Sequence, residues 1–215
     1  MGPEPVQADP PSLDAPAIFA ILDTYRVEYV LVGGYAAQVH GSTRVTTDVD
    51  VTPERSLANL GRLAAALREL GGGIRVDDLE DGLPFATSAK ALAGVKTLNL
   101  RTPFGDIDLT FDPDGTGGFP DLVGRAEPHT VGSVRVLVAA LADIIRSMTA
   151  AGRQKDLLAL PELHEITRRN AAKGSGRPGR APSGSGQRFA GRYTVTTAVP
   201  PRPMLCCSAT CAPST

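Results

Sequence analysis

Asp48-Val49-Asp50 sets two carboxylates in alternation with an apolar residue, and Asp106-Ile107-Asp108-Leu109-Thr110-Phe111 repeats the pattern. On a strand, residues two apart share a face and lie about 6.5 Å apart along the chain. Two carboxylates so placed repel unless a cation lies between them, and a hard divalent ion such as Mg²⁺ takes oxygen ligands. If the two strands are neighbours, Asp108 approaches Asp48 and Asp50. Three carboxylates can then hold two metal ions about 4 Å apart, the arrangement that serves in-line phosphoryl or nucleotidyl transfer. The competing reading is a solvated face on edge strands. Asp is depleted in strands, so two such runs favour the metal.

Gly33-Gly34 follows the short apolar run Tyr29-Val30-Leu31-Val32 and precedes a short helical segment, Tyr35 to His40. Glycines allow a phosphate close to the backbone, and free N–H groups at a helix start attract anions. An ordinary strand-to-helix turn would use the same residues. The chain has no Gly-x-x-x-x-Gly-Lys-Ser/Thr loop, and no Gly-x-Gly-x-x-Gly pattern after its first strand.

Period-2 and period-3.6 patterns outline the elements that would position these groups. Ser12 is placed as the N-cap of a helix carrying Leu13, Ile18, Ile21 and Leu22. Asp48 to Thr52 reads as a half-buried strand ended by Pro53. Glu54 to Leu70 reads as an amphipathic helix with Leu57, Leu60, Leu63, Ala64 and Leu67 inward, stopped by Gly71-Gly72-Gly73. Residues 74–94 fit neither period. Lys96 to Arg101 and Asp106 to Phe111 form a hairpin around Pro103-Phe104-Gly105. Val134 to Val138 is a strand, and Leu141 to Ala151 is a helix stopped by Gly152. Gln154 to Arg168 is helical with a break near Pro161.

The 215 residues are 42% hydrophobic and 21% charged, with a formal charge of −1. That average is uneven. Residues 170–215 hold six of the 22 basic residues and no acid, which leaves 16 bases against 23 acids, a charge of −7, in residues 1–169. So acidic a body lacks the global footprint of a nucleic-acid binder, without excluding a local basic rim. Residues 1–12 read as a disordered leader, 13–169 as the working domain, and 170–215 as a basic, disordered, low-complexity tail. Cys206, Cys207 and Cys211 all fall in that tail and read as incidental, since Cys-Cys-x-x-x-Cys supplies too few ligands for a structural zinc. No apolar run reaches the ~20 residues that span a bilayer, and the start lacks a secretory pattern. A cytoplasmic protein without membrane contact is expected.

The segment Leu31-Val32-Gly33-Gly34 through Arg44-Val45-Thr46-Thr47-Asp48-Val49-Asp50-Val51 resembles the signature of the polymerase-β-type nucleotidyltransferase superfamily, with Thr102-Pro103-Phe104-Gly105-Asp106-Ile107-Asp108-Leu109 in the place of its third carboxylate. Within it, Arg44-x-Thr46-x-Asp48-x-Asp50, and Leu141 to Met148 with Ala151 to Leu157, are similar to the AbiEii/MenT group of toxin–antitoxin toxins. The resemblance spans about residues 15–166. It implies an α/β (α+β) fold, a mixed β-sheet flanked by helices with a helical C-terminal part. Asp48, Asp50 and Asp108 would be the catalytic metal ligands, for two Mg²⁺ ions or for Mn²⁺. Gly33, Gly34, Arg44, Thr46, Lys155 and Asp156 would hold the nucleotide, with Asp156 orienting the triphosphate site. The implied reaction moves an NMP from an NTP such as ATP to RNA, including the 3′ end of tRNA. A cognate antitoxin would be the partner.

Members often carry Lys where this chain has Met148; Arg153 and Lys155 are the substitutes at hand. Without the resemblance, Arg44 reads as a solvated loop residue and Lys155-Asp156 as a surface helix pair. His40 and His129 read as structural or exposed, because no spaced partner suggests zinc. Two other functions share these residues. One is an aminoglycoside-type antibiotic nucleotidyltransferase, which an acidic pocket would favour. A basic rim from Arg62, Arg68, Arg146 and Arg153 would favour RNA instead. The other is a degenerate, non-catalytic binding protein.

Overall fold

A computed structural model describes residues 12–76 and 79–174. The proposed leader, except Ser12, and the tail beyond residue 174, with its three cysteines, lie outside the described residues. The first helix, α1 (Ala15–Thr24), buries Ile18, Phe19 and Leu22. Its N-cap is Asp14 rather than Ser12, because Asp14 Oδ1 accepts the Ala17 N–H at 3.0 Å. β1 (Tyr29–Val32) is buried at all four positions and runs into α2 (Gly33–Val39), so the two glycines form the first turn of that helix.

β2 (Asp48–Pro53) alternates as its sequence requires: Val49 and Val51 are buried while Asp48 and Asp50 stay half-buried. α3 (Leu57–Glu69) starts at Ser56, whose Oγ accepts the Asn59 N–H. Leu57, expected on the inward face, is 66% exposed, while Asn59 and Leu60 in the same turn are buried. Residues 73–93 resolve into two strands, β3 (Gly73–Val76) and the edge strand β4 (Leu79–Leu83), and a short α4 (Ala89–Ala93).

The hairpin of β5 (Thr97–Thr102) and β6 (Gly105–Thr110) follows, then α5 (Phe119–Val123). A second hairpin joins β7 (Glu127–Val131) and β8 (Val134–Val138). α6 (Leu141–Ala151) ends at Gly152, which takes the left-handed conformation (φ +63°) that favours glycine. α7 (Gln154–Leu157) and α8 (Leu160–Gly174) complete the described chain. Pro161 sits in the first turn of α8, so the helical break falls just before it, where a missing N–H costs nothing.

The strands form one mixed sheet in the order β4-β3-β5-β6-β2-β1-β8-β7. β2 pairs with β6, and β1 with β8, in parallel; the other neighbours are antiparallel. This mixed sheet, flanked by helices and followed by a helical C-terminal part, is the fold class expected. The core is one cluster that draws on α1, α3, the central strands, α6 and α8. Among the described residues no helix is long and apolar enough to cross a membrane.

Candidate metal and nucleotide site

The parallel pairing of β2 with β6 sets Asp48 beside Asp106 and Asp50 beside Asp108. Side chains of paired residues share a face, so the alternation that buries Val49, Val51, Ile107 and Leu109 gathers the aspartates on the opposite side. One carboxylate oxygen each from Asp48, Asp50 and Asp108 falls within 4.8 Å of the others. Asp106 stands apart from this group. Its Oδ2 accepts from Arg75 Nη1 at 2.9 Å and its Oδ1 from Arg101 Nε at 3.4 Å.

Burial pushes the Asp50 carboxyl up to about 7, and the charges of Asp48 and Asp108 add to the effect; the Lys155 charge and the Gly34 N–H oppose it. Burial also raises Asp108, against the Arg75 charge. Such crowding of acids is what a bound cation relieves. Asp108 Oδ2 accepts from Arg75 Nη2 at 3.2 Å, but its Oδ1 is buried with no hydrogen-bond partner. An orphaned buried carboxylate oxygen facing two further carboxylates suits a hard cation, so this donor set fits Mg²⁺ or Mn²⁺.

The backbone closes tightly over these groups. Gly33 has φ +67°, and Gly34 abuts the Thr46 hydroxyl. Thr46 Oγ1 in turn donates to Asp48 Oδ1 at 2.6 Å, which fixes that carboxylate's orientation. Above lies a cavity of about 350 Å³ lined by the two glycines, the three aspartates, Arg44, Thr46, Lys155 and Asp156 among others.

Arg44 Nη1 donates to the Leu158 carbonyl at 3.2 Å, and the preceding loop is tied down by Glu162. That carboxylate accepts from Ser42 Oγ, Thr43 N and Thr43 Oγ1 at 2.7–3.0 Å. Asp156 is buried, and its partner is Arg153 Nε at 2.5 Å. It therefore orients Arg153. Met148 is buried against the same cavity, where Arg153 and Lys155 supply positive charge.

The cavity brings together every residue expected of the site, from Gly33 to Asp156. Of the four arginines considered for a basic rim, only Arg153 lines it. Arg62 is held by the Arg26 carbonyl and Glu28, Arg68 by the Thr87 carbonyl, and Arg146 by Asp121 and Asp143. Seven aspartates line the cavity against three cations: Asp112, Asp114, Asp143 and Asp156 join Asp48, Asp50 and Asp108, with Arg44, Arg153 and Lys155 as the basic residues.

Arg75 and Glu162 were not foreseen. Arg75 reaches the aspartates only because β3 pairs with β5, and nothing in the linear sequence announces that pairing. His40 and His129, expected to be structural or exposed, are half-buried neighbours with ring centroids 5.5 Å apart.

No protein-family model matches this chain, and no curated protein matches it. Solved structures are similar to it, among them that of the antibiotic-resistance factor ANT(2'')-Ia. The TM-score is 0.45 with 16% identity, covering 74% of this chain and 88% of that one.

Proposed function

We propose that this protein is a metal-dependent nucleotidyltransferase that moves an NMP from an NTP to an acceptor. The observation that carries the reading is the β2–β6 register, which gathers Asp48, Asp50 and Asp108 under the Gly33-Gly34 turn. These carboxylates would hold Mg²⁺ or Mn²⁺, which supplies charge neutralisation at the triphosphate and lowers the pKa of the acceptor hydroxyl. The glycine turn admits the phosphates to the backbone. Lys155, Arg153 and Arg44 meet their negative charge from the cavity wall, with Asp156 orienting Arg153 and Glu162 steadying the loop before Arg44. A degenerate binding protein would have no need to keep three mutually repelling carboxylates together.

Two acceptor classes compete. The excess of aspartates in the cavity favours a small polycationic acceptor of the aminoglycoside type, whose ammonium groups would pair with acids such as Asp114. Arg44, Thr46 and the Arg153–Asp156 segment, the residues shared with the AbiEii/MenT group, favour RNA, with tRNA as product and an antitoxin as partner. RNA would have to bring its phosphates past the acidic lining, so its binding should be local and weakened by salt.

The test is incubation with each α-labelled NTP and Mg²⁺, with total RNA or a panel of aminoglycosides. Label on an aminoglycoside selects the first class, and label on tRNA selects the second. Label on neither, with NTP still bound, would leave only the degenerate binder.

A further inference from the structure

His40, Glu127 and His129 each offer one ligand atom within 4.8 Å of the others. They come from two places in the fold. His40 caps the C-terminal end of α2, while Glu127 and His129 lie two apart on the edge strand β7. We propose that this trio is a second metal site, one that takes a borderline transition ion of the zinc class rather than Mg²⁺.

The first argument is donor chemistry. Two imidazoles and one carboxylate suit Zn²⁺, whereas Mg²⁺ prefers oxygen throughout. The second is the state of each ring. His40 Nε2 lies 2.8 Å from the Ala139 carbonyl oxygen. A carbonyl only accepts, so Nε2 carries the proton and Nδ1 keeps its lone pair. A backbone carbonyl that fixes the tautomer in this way is the usual outer support of a metal-binding histidine. His129 Nε2 is buried without a hydrogen-bond partner, and Glu127 Oε2 stands 3.7 Å from it. An orphaned ring nitrogen facing a carboxylate and a second imidazole is poorly served by packing alone.

Zinc–ligand distances near 2.0–2.2 Å place tetrahedral ligands about 3.4 Å apart, so a trio whose atoms lie within 4.8 Å of one another has at most about 1.4 Å to close. Glu127 is exposed and its rotamers are free to supply that movement. Three protein ligands leave a fourth position for water. The site is separate from the aspartate cluster: seven helical residues, about 10 Å, lie between the Gly33 and His40 ends of α2. A bound ion would fasten the β7–β8 hairpin to the helix whose first turn covers Asp50. This inference does not depend on the proposed transfer reaction.

The experiment uses the full chain with Cys206, Cys207 and Cys211 changed to Ser, so that thiols do not compete. Zn²⁺ binding is followed by calorimetry and thermal midpoint, and Co²⁺ by its visible bands, in excess Mg²⁺. One Zn²⁺ per chain, a raised midpoint and tetrahedral Co²⁺ bands are expected. His129→Ala, and independently His40→Gln and Glu127→Ala, should each weaken binding about tenfold or more, while Asp48→Asn leaves it unchanged. Absence of binding, binding indifferent to all three variants, or binding displaced by Mg²⁺ or lost in Asp48→Asn would overturn the proposal. Should His129→Ala fail to fold, the exposed Glu127→Ala still decides.

Discussion

Gly33 stands directly against Asp50: a Cβ added to Gly33 would lie 2.0 Å from Asp50 Oδ2 and 2.5 Å from its carboxyl carbon. The helix that presents its first turn to the cavity and the strand that carries the aspartate leave no room for a side chain at this point. The requirement is double, since Gly33 also has φ +67°.

Gly33→Ala is therefore expected to cost about 1–2 kcal/mol for the backbone conformation alone. It should also displace the Asp50 carboxylate. A misplacement of about 1 Å at a reacting centre costs roughly 10²-fold in rate. The check is transfer activity against circular dichroism: activity should fall about a hundredfold in a chain that still folds. Unchanged activity would show that the turn does not position Asp50.

The two aspartate strands and most helices were legible in the sequence because their apolar residues repeat with a clean period. Val49 and Val51, and Ile107 and Leu109, had to share an inward face, which left the aspartates on the other. Their meeting was less legible. It depends on β2 lying parallel to β6, a long-range pairing that no local pattern encodes. The same holds for Arg75, delivered by β3 in a stretch with no clear period, and for β7, whose exposed, polar residues gave no strand signal. His40 and His129 are 89 positions apart and meet only because β7 runs beside β8 while Ala139, just beyond β8, takes the His40 ring. Local polar competition explains the smaller misses, as where Asp14 rather than Ser12 captures the α1 N-terminus.

Metal binding should depend on pH with a defined sign. The ordinary Asp value is 3.8, and Asp50 in the fold titrates at about 7. Between those values the unfolded chain holds fewer protons than the native one, so this group's contribution to metal-free stability falls as pH rises from about 4 to 7. Mg²⁺ needs the carboxylate and should reverse the loss. The thermal midpoint should gain more from Mg²⁺ at pH 8 than at pH 5, and Asp50→Asn should abolish the difference. Equal gains at both pH values would count against metal binding at Asp50.

Arg75 spans Asp106 and Asp108, so its guanidinium partly occupies the role of a cation at the third carboxylate. Arg75→Ala should lower metal-free stability by about 1–3 kcal/mol, the usual range for a charged hydrogen-bond partner removed from a half-buried acid. It should also tighten Mg²⁺ binding, because a competing cation is gone. Chemical denaturation and Mg²⁺ titration measure the two effects. Weaker Mg²⁺ binding would show that Arg75 instead holds Asp108 in its binding position.

Glu162 anchors Ser42 and Thr43 ahead of Arg44 and Thr46. Glu162→Ala should release that loop. The KM for NTP should rise about three- to tenfold, roughly the loss of one or two modest hydrogen bonds, and kcat should change little. Limited proteolysis should find new cleavage near residues 42–46. A loss confined to kcat would place Glu162 in a different role.

The most direct measurement is transfer of an α-labelled nucleotide by the intact protein beside Asp50→Asn, with and without Mg²⁺. Asparagine preserves the size of the side chain and removes the negative charge from one of the three carboxylates. If the aspartate trio is a metal-dependent transfer site, the intact protein labels an acceptor only with the divalent ion. Asp50→Asn then loses that activity by several orders of magnitude while its far-ultraviolet spectrum stays unchanged. Comparable labelling by Asp50→Asn, or labelling by the intact protein in excess chelator, would contradict it.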